Sequence, residues 1–207
     1  MSYFLVGFLL AFIVPILVGS WRVGILGLGV QTLLLASMVV SASDHYTMPV
    51  VLQLLDLGVL RGVIIPWILV SSVKLAGLPP EFDFVPTNFL YWTGLFFVIG
   101  LGLWFGRLLF PDNFQTSLHC GVAAAGILTS FFILALQSSG LGQMFAIILL
   151  ESSVILFELL SSHQQSYVMQ IGVSLLFLIL ILVFRMFLRR LPILISKDVG
   201  EADKDII

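Results

Sequence analysis

The chain has 207 residues, of which 60% are hydrophobic and only 10% charged, with a formal net charge of −2 and a mean hydropathy of +1.17. Soluble domains run at about 45–50% apolar and about 25% charged residues, so this composition excludes a water-soluble enzyme and describes an integral membrane protein. A transmembrane barrel would need alternating segments of about ten residues. The apolar runs here are long and unalternating, so the expected fold class is all-α, a polytopic helical membrane protein.

Seven spans are expected, near 2–19, 23–42, 47–73, 88–110, 117–138, 141–162 and 166–188. The first run lacks a basic start and a small-residue cleavage site, and its first cation, Arg22, follows it, which reads as a retained helix. The second carries Gly24, Gly27 and Gly29 in "GILGLG". No strand precedes these glycines, so close helix packing is expected there and not a phosphate loop. The third span holds Asp56, Arg61 and Pro66, and the break after it, "KLAGLPPEFDFVPTN" (74–88), carries three of the eight prolines. The sixth holds Glu151 and Glu158.

This spacing suggests two three-helix units, 1–73 and 117–190, joined by a loop and connecting helix over 74–116 and followed by a polar tail, 191–207. A shift of 120 residues sets Gln31 opposite Glu151 and Asp56 opposite Leu176, the kind of internal repeat found in transport machinery. Arg22, Lys74, Arg185, Arg189, Arg190, Lys197 and Lys204 fall on the face of the C-terminus, with only Arg107 on the other. The positive-inside bias therefore puts the C-terminus in the cytoplasm and the N-terminus outside. His45, His119 and His163 then lie at or near the outer face, as polar loop residues or, since imidazole titrates near neutrality, as a pH-sensing group.

Charged side chains at membrane depth are costly and mark sites facing a bundle interior or a water-lined path. Glu151 is about ten residues from either end of its span, too deep to reach an interface. Glu158 is two turns further along the same face, about 10 Å toward the outer side. The two acids resemble stations on a proton path, with Ser152, Ser153, Ser161 and Ser162 flanking them. Arg61 keeps its charge in proteins and needs an anion. Asp56 is five residues away, about 140° around an α-helix and a poor partner, so Glu151 or another subunit is the more plausible counter-ion. Pro66 removes the donor for the Gly62 carbonyl and is expected to bend or open the helix beside Arg61. Cys120 is the only cysteine, which excludes intrachain disulfides and cysteine-ligated clusters built by this chain. The histidines have no metal spacing, so no cofactor is expected in this chain.

Four stretches carry a resemblance. "GLGVQTLLLASM", "VLRGVIIPWIL", "GLGQMFAIILLESS" and "QIGVSLLFLILILVF" look like the glutamine-bearing second helix, the mid-membrane lysine segment with its proline, the acid-bearing helix and the last helix of the hydrogenase-4 component E family. That family supplies the small membrane subunit of group 4 hydrogenases and formate hydrogenlyase-like complexes. The second half, about 120 to 207, is in turn similar to subunit K of NADH-quinone oxidoreductase (respiratory complex I). The resemblance implies a subunit of a bacterial or archaeal cytoplasmic membrane complex, with no catalytic site of its own. It would pass protons or Na⁺ sideways next to large antiporter-like subunits, with Fe–S clusters and a [NiFe] centre in partner subunits. Carried over, Glu151 takes the helix-borne acid and Arg61 the lysine, with Gln31, Asp56 and Glu158 completing the path. Two departures stand out: Leu176 replaces a second acid, and arginine, unlike lysine, does not release its proton. Two other readings stay open, a scaffolding subunit without proton transfer and a free-standing small-solute transporter.

Overall fold

The computed structural model describes residues 2–43, 47–75, 84–85, 88–160 and 171–186. His45, His163, Ser161, Ser162, Arg189, Arg190, Lys197 and Lys204 lie outside the described residues, as does the tail 191–207. The described residues form helices without a strand: α1 (Ser2–Val18), α2 (Trp21–Ala42), α3 (Met48–Leu75), α4 (Phe89–Leu109), α5 (Phe114–Leu136), α6 (Gly140–Glu158) and α7 (Ile171–Met186). Five of them, α2 to α6, are long and apolar enough to cross a bilayer; α1 and α7 are apolar but shorter. The chain is a multi-pass membrane protein. The seven expected spans each contain one helix, and five of these reach crossing length.

Local chemistry sets the helix boundaries. Gly19, with φ 61°, turns the chain between α1 and α2 in a conformation that costs a side-chain-bearing residue more. Asn88, Asn113 and Ser139 each precede a helix and accept, through their side chains, from Leu90, Thr116 and Gly142 N–H respectively. These caps satisfy amide donors that have no partner inside the helix.

Small residues fix the packing. Between membrane helices the gain comes from close approach, which Gly and Ala permit. On α4, Gly102 lies against the Ala125 backbone and Gly106 against Ser117 and Gly121 of α5. The three glycines of "GILGLG" each receive a different neighbour: Gly24 meets Phe84 and Phe145, Gly27 meets Pro15 and the Ala11 carbonyl, and Gly29 meets the Gly62 carbonyl and Pro66. The helix-packing expectation for this motif therefore holds, and the packing is internal to the chain. The two halves meet where α1 packs on α5 and α2 on α6, while α4 packs on α5. Trp21, Val73 and Phe184 border one cavity, so the adjoining Arg22, Lys74 and Arg185 share one end of the bundle.

The glycine contacts make a paired test. Gly106→Leu would drive a side chain into the α5 backbone, and overpacking of this kind costs about 1–3 kcal/mol. Gly100, where an added Cβ meets nothing within 4 Å, is the control. Thermal unfolding in detergent should show Gly106→Leu well below the parent and Gly100→Leu close to it; equal midpoints would mean that α4 and α5 are not in close contact.

Candidate functional site

α3 contains an irregularity that builds the site. Its first stretch, Met48–Leu54, and its last, Ile65–Leu75, are α-helical, while Leu55–Ile64 is a π-helix. The Ile65 N–H donates to the Leu60 carbonyl, five residues back, and the next residue, Pro66, has no N–H to donate. The break expected at Pro66 thus takes the form of a change of helical register. π-Helices are rare and cluster at functional sites.

The register decides who pairs with Arg61. In an α-helix Asp56 would sit about 140° away; in i→i+5 geometry the fifth residue stacks roughly one turn above the first. Accordingly Arg61 Nε donates to Asp56 Oδ2 at 2.9 Å. Asp56 is a direct partner of Arg61, which corrects the expectation drawn from ideal helical spacing. The other expected partner is present too: Arg61 Nη1 lies 2.5 Å from Glu151 Oε1 on α6. From the third side, the Phe177 ring of α7 lies 4.6 Å from the guanidinium carbon, a cation–π contact. The side chains of Arg61, Asp56 and Glu151 are only 4%, 11% and 20% exposed.

Asp56 and Glu151 each use one oxygen on Arg61, and Asp56 Oδ1 and Glu151 Oε2 have no partner among the described residues. Both residues line a cavity of about 110 Å³, together with Gln53, Arg61, Glu158 and Ser174. A water molecule occupies about 30 Å³ in the liquid, so this space holds several. Glu151, Val154, Ile155 and Glu158 present one face of α6 to it, as the two-turn spacing implies. Glu158 is exposed at the end of α6, so it borders the cavity from that end of the bundle. Two carboxyls on one guanidinium, with a third bordering the same cavity, can take up protons, or a cation, while Arg61 remains paired.

The other side of the ion pair is tighter. A void of about 10 Å³ is bordered by Thr32, Arg61, Pro66, Glu151, Ser152 and Phe177 among others, room for one water at most. Gln31 is fully buried, with neither amide atom partnered among the described residues, but it lines neither space and makes no hydrogen bond to the cluster there. Ser153 donates to the Leu149 carbonyl of its own helix. His119 is not a loop residue: it is buried in α5, where its Nε2 donates to the Leu156 carbonyl at 2.9 Å. Among the described residues no three His, Cys, Asp or Glu side chains are arranged to hold a metal.

The contribution of α7 was not foreseen. Leu176 is 67% exposed on the outer side of the helix, whereas Phe177 and Ile181 are buried and Ser174 lines the cavity. An acid at position 176 would face away from Arg61 in this arrangement. Ser174, Phe177, Ile181 and Phe184 share the inward face at i, i+3, i+7 spacing, but the positions between them are equally apolar, so the sequence did not mark that face.

Removing one partner of a buried ion pair costs about 3–5 kcal/mol, because the other charge is left uncompensated. Arg61→Leu should therefore lower the thermal midpoint in lipid nanodiscs strongly, and Glu151→Gln less, since Asp56 keeps its hold on Arg61. The double change Arg61→Leu/Glu151→Leu should regain part of the loss. An Arg61→Leu protein as stable as the parent would contradict a buried, mutually dependent cluster.

No protein-family model matches the chain, and no curated protein or solved structure matches it.

Proposed function

We propose that the chain is a non-catalytic membrane-arm subunit of a complex I-like or group 4 hydrogenase-like oxidoreductase, moving protons sideways through buried charges next to antiporter-like subunits. The observation that carries this reading is the Asp56–Arg61–Glu151 cluster beside a polar cavity that continues to Glu158. A membrane protein keeps such a group against the cost of burial when the charges face a water-lined path or a partner.

In this reading Glu151 is the central proton station and Glu158 leads outward from it. Asp56 supplies the second acid that the resemblance would place at Leu176. Arg61 stays charged throughout; it holds the two carboxyls in register and biases their protonation without carrying a proton itself. Na⁺ can replace H⁺ at the same carboxyls. The electron-transfer groups, Fe–S clusters and a [NiFe] centre, belong to partner subunits, and the complex sits in a bacterial or archaeal cytoplasmic membrane with the Arg22 and Lys74 face inward.

A scaffolding role is the second reading, and one observation favours it: Arg61 ties α3, α6 and α7 together, as a structural brace would. The two part company on conservative changes. Glu151→Gln and Asp56→Asn should leave the complex assembled while lowering the number of ions moved per electron, measured in sealed membrane vesicles. Normal pumping by both variants would reduce the cluster to a brace. Extraction of the tagged chain in mild detergent should recover large antiporter-like chains with Fe–S-bearing subunits at stoichiometric levels; recovery of the chain alone would sink both subunit readings and favour a free-standing solute transporter.

A further inference from the structure

The two ends of the ion cluster differ in a way that neither pumping nor scaffolding requires. Toward Glu158 lies the polar space of about 110 Å³. Toward the end that carries Arg22 and Lys74, the small void beside Arg61 is followed by a space of about 20 Å³ that shares its Leu28, Leu69 and Ile148 walls. Ile25, Met144 and Phe184 complete an almost wholly apolar lining. A water placed there finds hardly any hydrogen-bond partner, and apolar spaces of this size stay dry.

One wall of that space comes from the connection between α3 and α4. Phe84 is 1% exposed, although its position in the chain is in a loop, where side chains are usually solvated. Its ring lies 4.2 Å from that of Phe145, centroid to centroid. It occupies the notch left by Gly24, where an added Cβ would stand 2.5 Å from Phe84 Cζ. Its backbone is fastened from below: Gln137, at the end of α5, donates from Nε2 to the Phe84 carbonyl at 2.7 Å, and the same amide accepts from Ser139 Oγ at 3.0 Å. Side-chain bonding of a loop carbonyl to a helix terminus sets the depth of the ring.

We infer that Phe84 is a water-excluding plug that seals the Asp56–Arg61–Glu151 cluster from the Arg22 and Lys74 face, so that its carboxyls meet water only from the Glu158 side. Hydrophobic constrictions act as such barriers by dewetting. The Phe84 ring and the Gly24 notch form the seal, and Gln137 is a positioning residue that acts through the Phe84 backbone. Any path from the cluster toward the Arg22 and Lys74 face then requires displacement of the ring or passage through a neighbouring chain. The inference concerns access of water and holds whether or not the cluster transfers protons.

Thiol labelling in native membranes tests it. Cys120, the only cysteine, is replaced by Ala, and a single reporter is introduced as Leu69→Cys, inside the seal, or as Ser174→Cys, in the polar cavity. A membrane-impermeant cationic methanethiosulfonate is added to sealed vesicles of each orientation. Ser174→Cys should react from the Glu158 side, and Leu69→Cys should be unreactive from the Lys74 side. Adding Phe84→Ala should make Leu69→Cys react from that side about tenfold faster or more. Gln137→Ala, which leaves every apolar side chain in place, should act in the same direction and serves if Phe84→Ala does not fold. Reaction of Leu69→Cys from the Lys74 side with Phe84 intact overturns the inference. So does continued protection in whichever of the two variants folds. Neither readout depends on ion pumping, so this test can fail while the proposed function stands, and the reverse.

Discussion

A guanidinium in the middle of an apolar bundle is the constraint around which the rest of this molecule is arranged. Arg61 cannot shed its charge, and an uncompensated charge at that depth is among the most expensive features a membrane protein can contain. Its neighbours answer that cost from three helices: Asp56 on its own α3, Glu151 on α6 and the Phe177 ring on α7. Each contact recruits a different element, so burying one side chain fixes the relative placement of three of the seven helices.

The means by which α3 supplies its own counter-ion is local. A run of i→i+5 hydrogen bonds ends at the residue before Pro66, where the imino acid offers no donor to continue either register. Gly62 and Pro66 lie against Gly29 of α2, and that close approach holds the irregular segment in place. The rare helical form and the ion pair are therefore one feature: the register stacks Asp56 near Arg61, and the pair gives the register a reason to persist.

This pairing brings more carboxyls than cations together. Two carboxyls touch one guanidinium and a third, Glu158, borders the same cavity, which leaves the group able to bind protons or a cation. Its surroundings are uneven, polar and roomy toward Glu158, narrow and apolar toward Phe84. For the proposed ion transfer, such unevenness is a physical basis for directional movement, and it is equally compatible with a neighbouring chain taking over where the apolar side begins. The internal contacts of Gly24 and Gly27 mean that the glycine motif of α2 holds this chain together.

The sequence by itself determined the class, the helical runs to within a few residues at each end, and the identity of the unusual residues. Burial of apolar surface and the need to satisfy backbone groups inside a bilayer act through composition and run length, which are properties of the chain alone. For the same reason Glu151 and Arg61 were recognisable as a pair in waiting: a charge far from either end of an apolar run has few places to go. Tertiary structure alone decided that Asp56 joins them, because ideal helical spacing places it on the wrong face and only the π register, stabilised by packing on Gly29, turns it back. It alone decided that α7 presents Phe177 and Ser174 to the cluster and turns Leu176 outward, since the rotation of a helix that is apolar on every face is set by its neighbours. And it alone brought Phe84 out of a loop and into the bundle, through a hydrogen bond to Gln137, 53 residues along the chain. Long-range contacts of this kind leave no periodic trace in sequence, because they depend on shape and not on spacing.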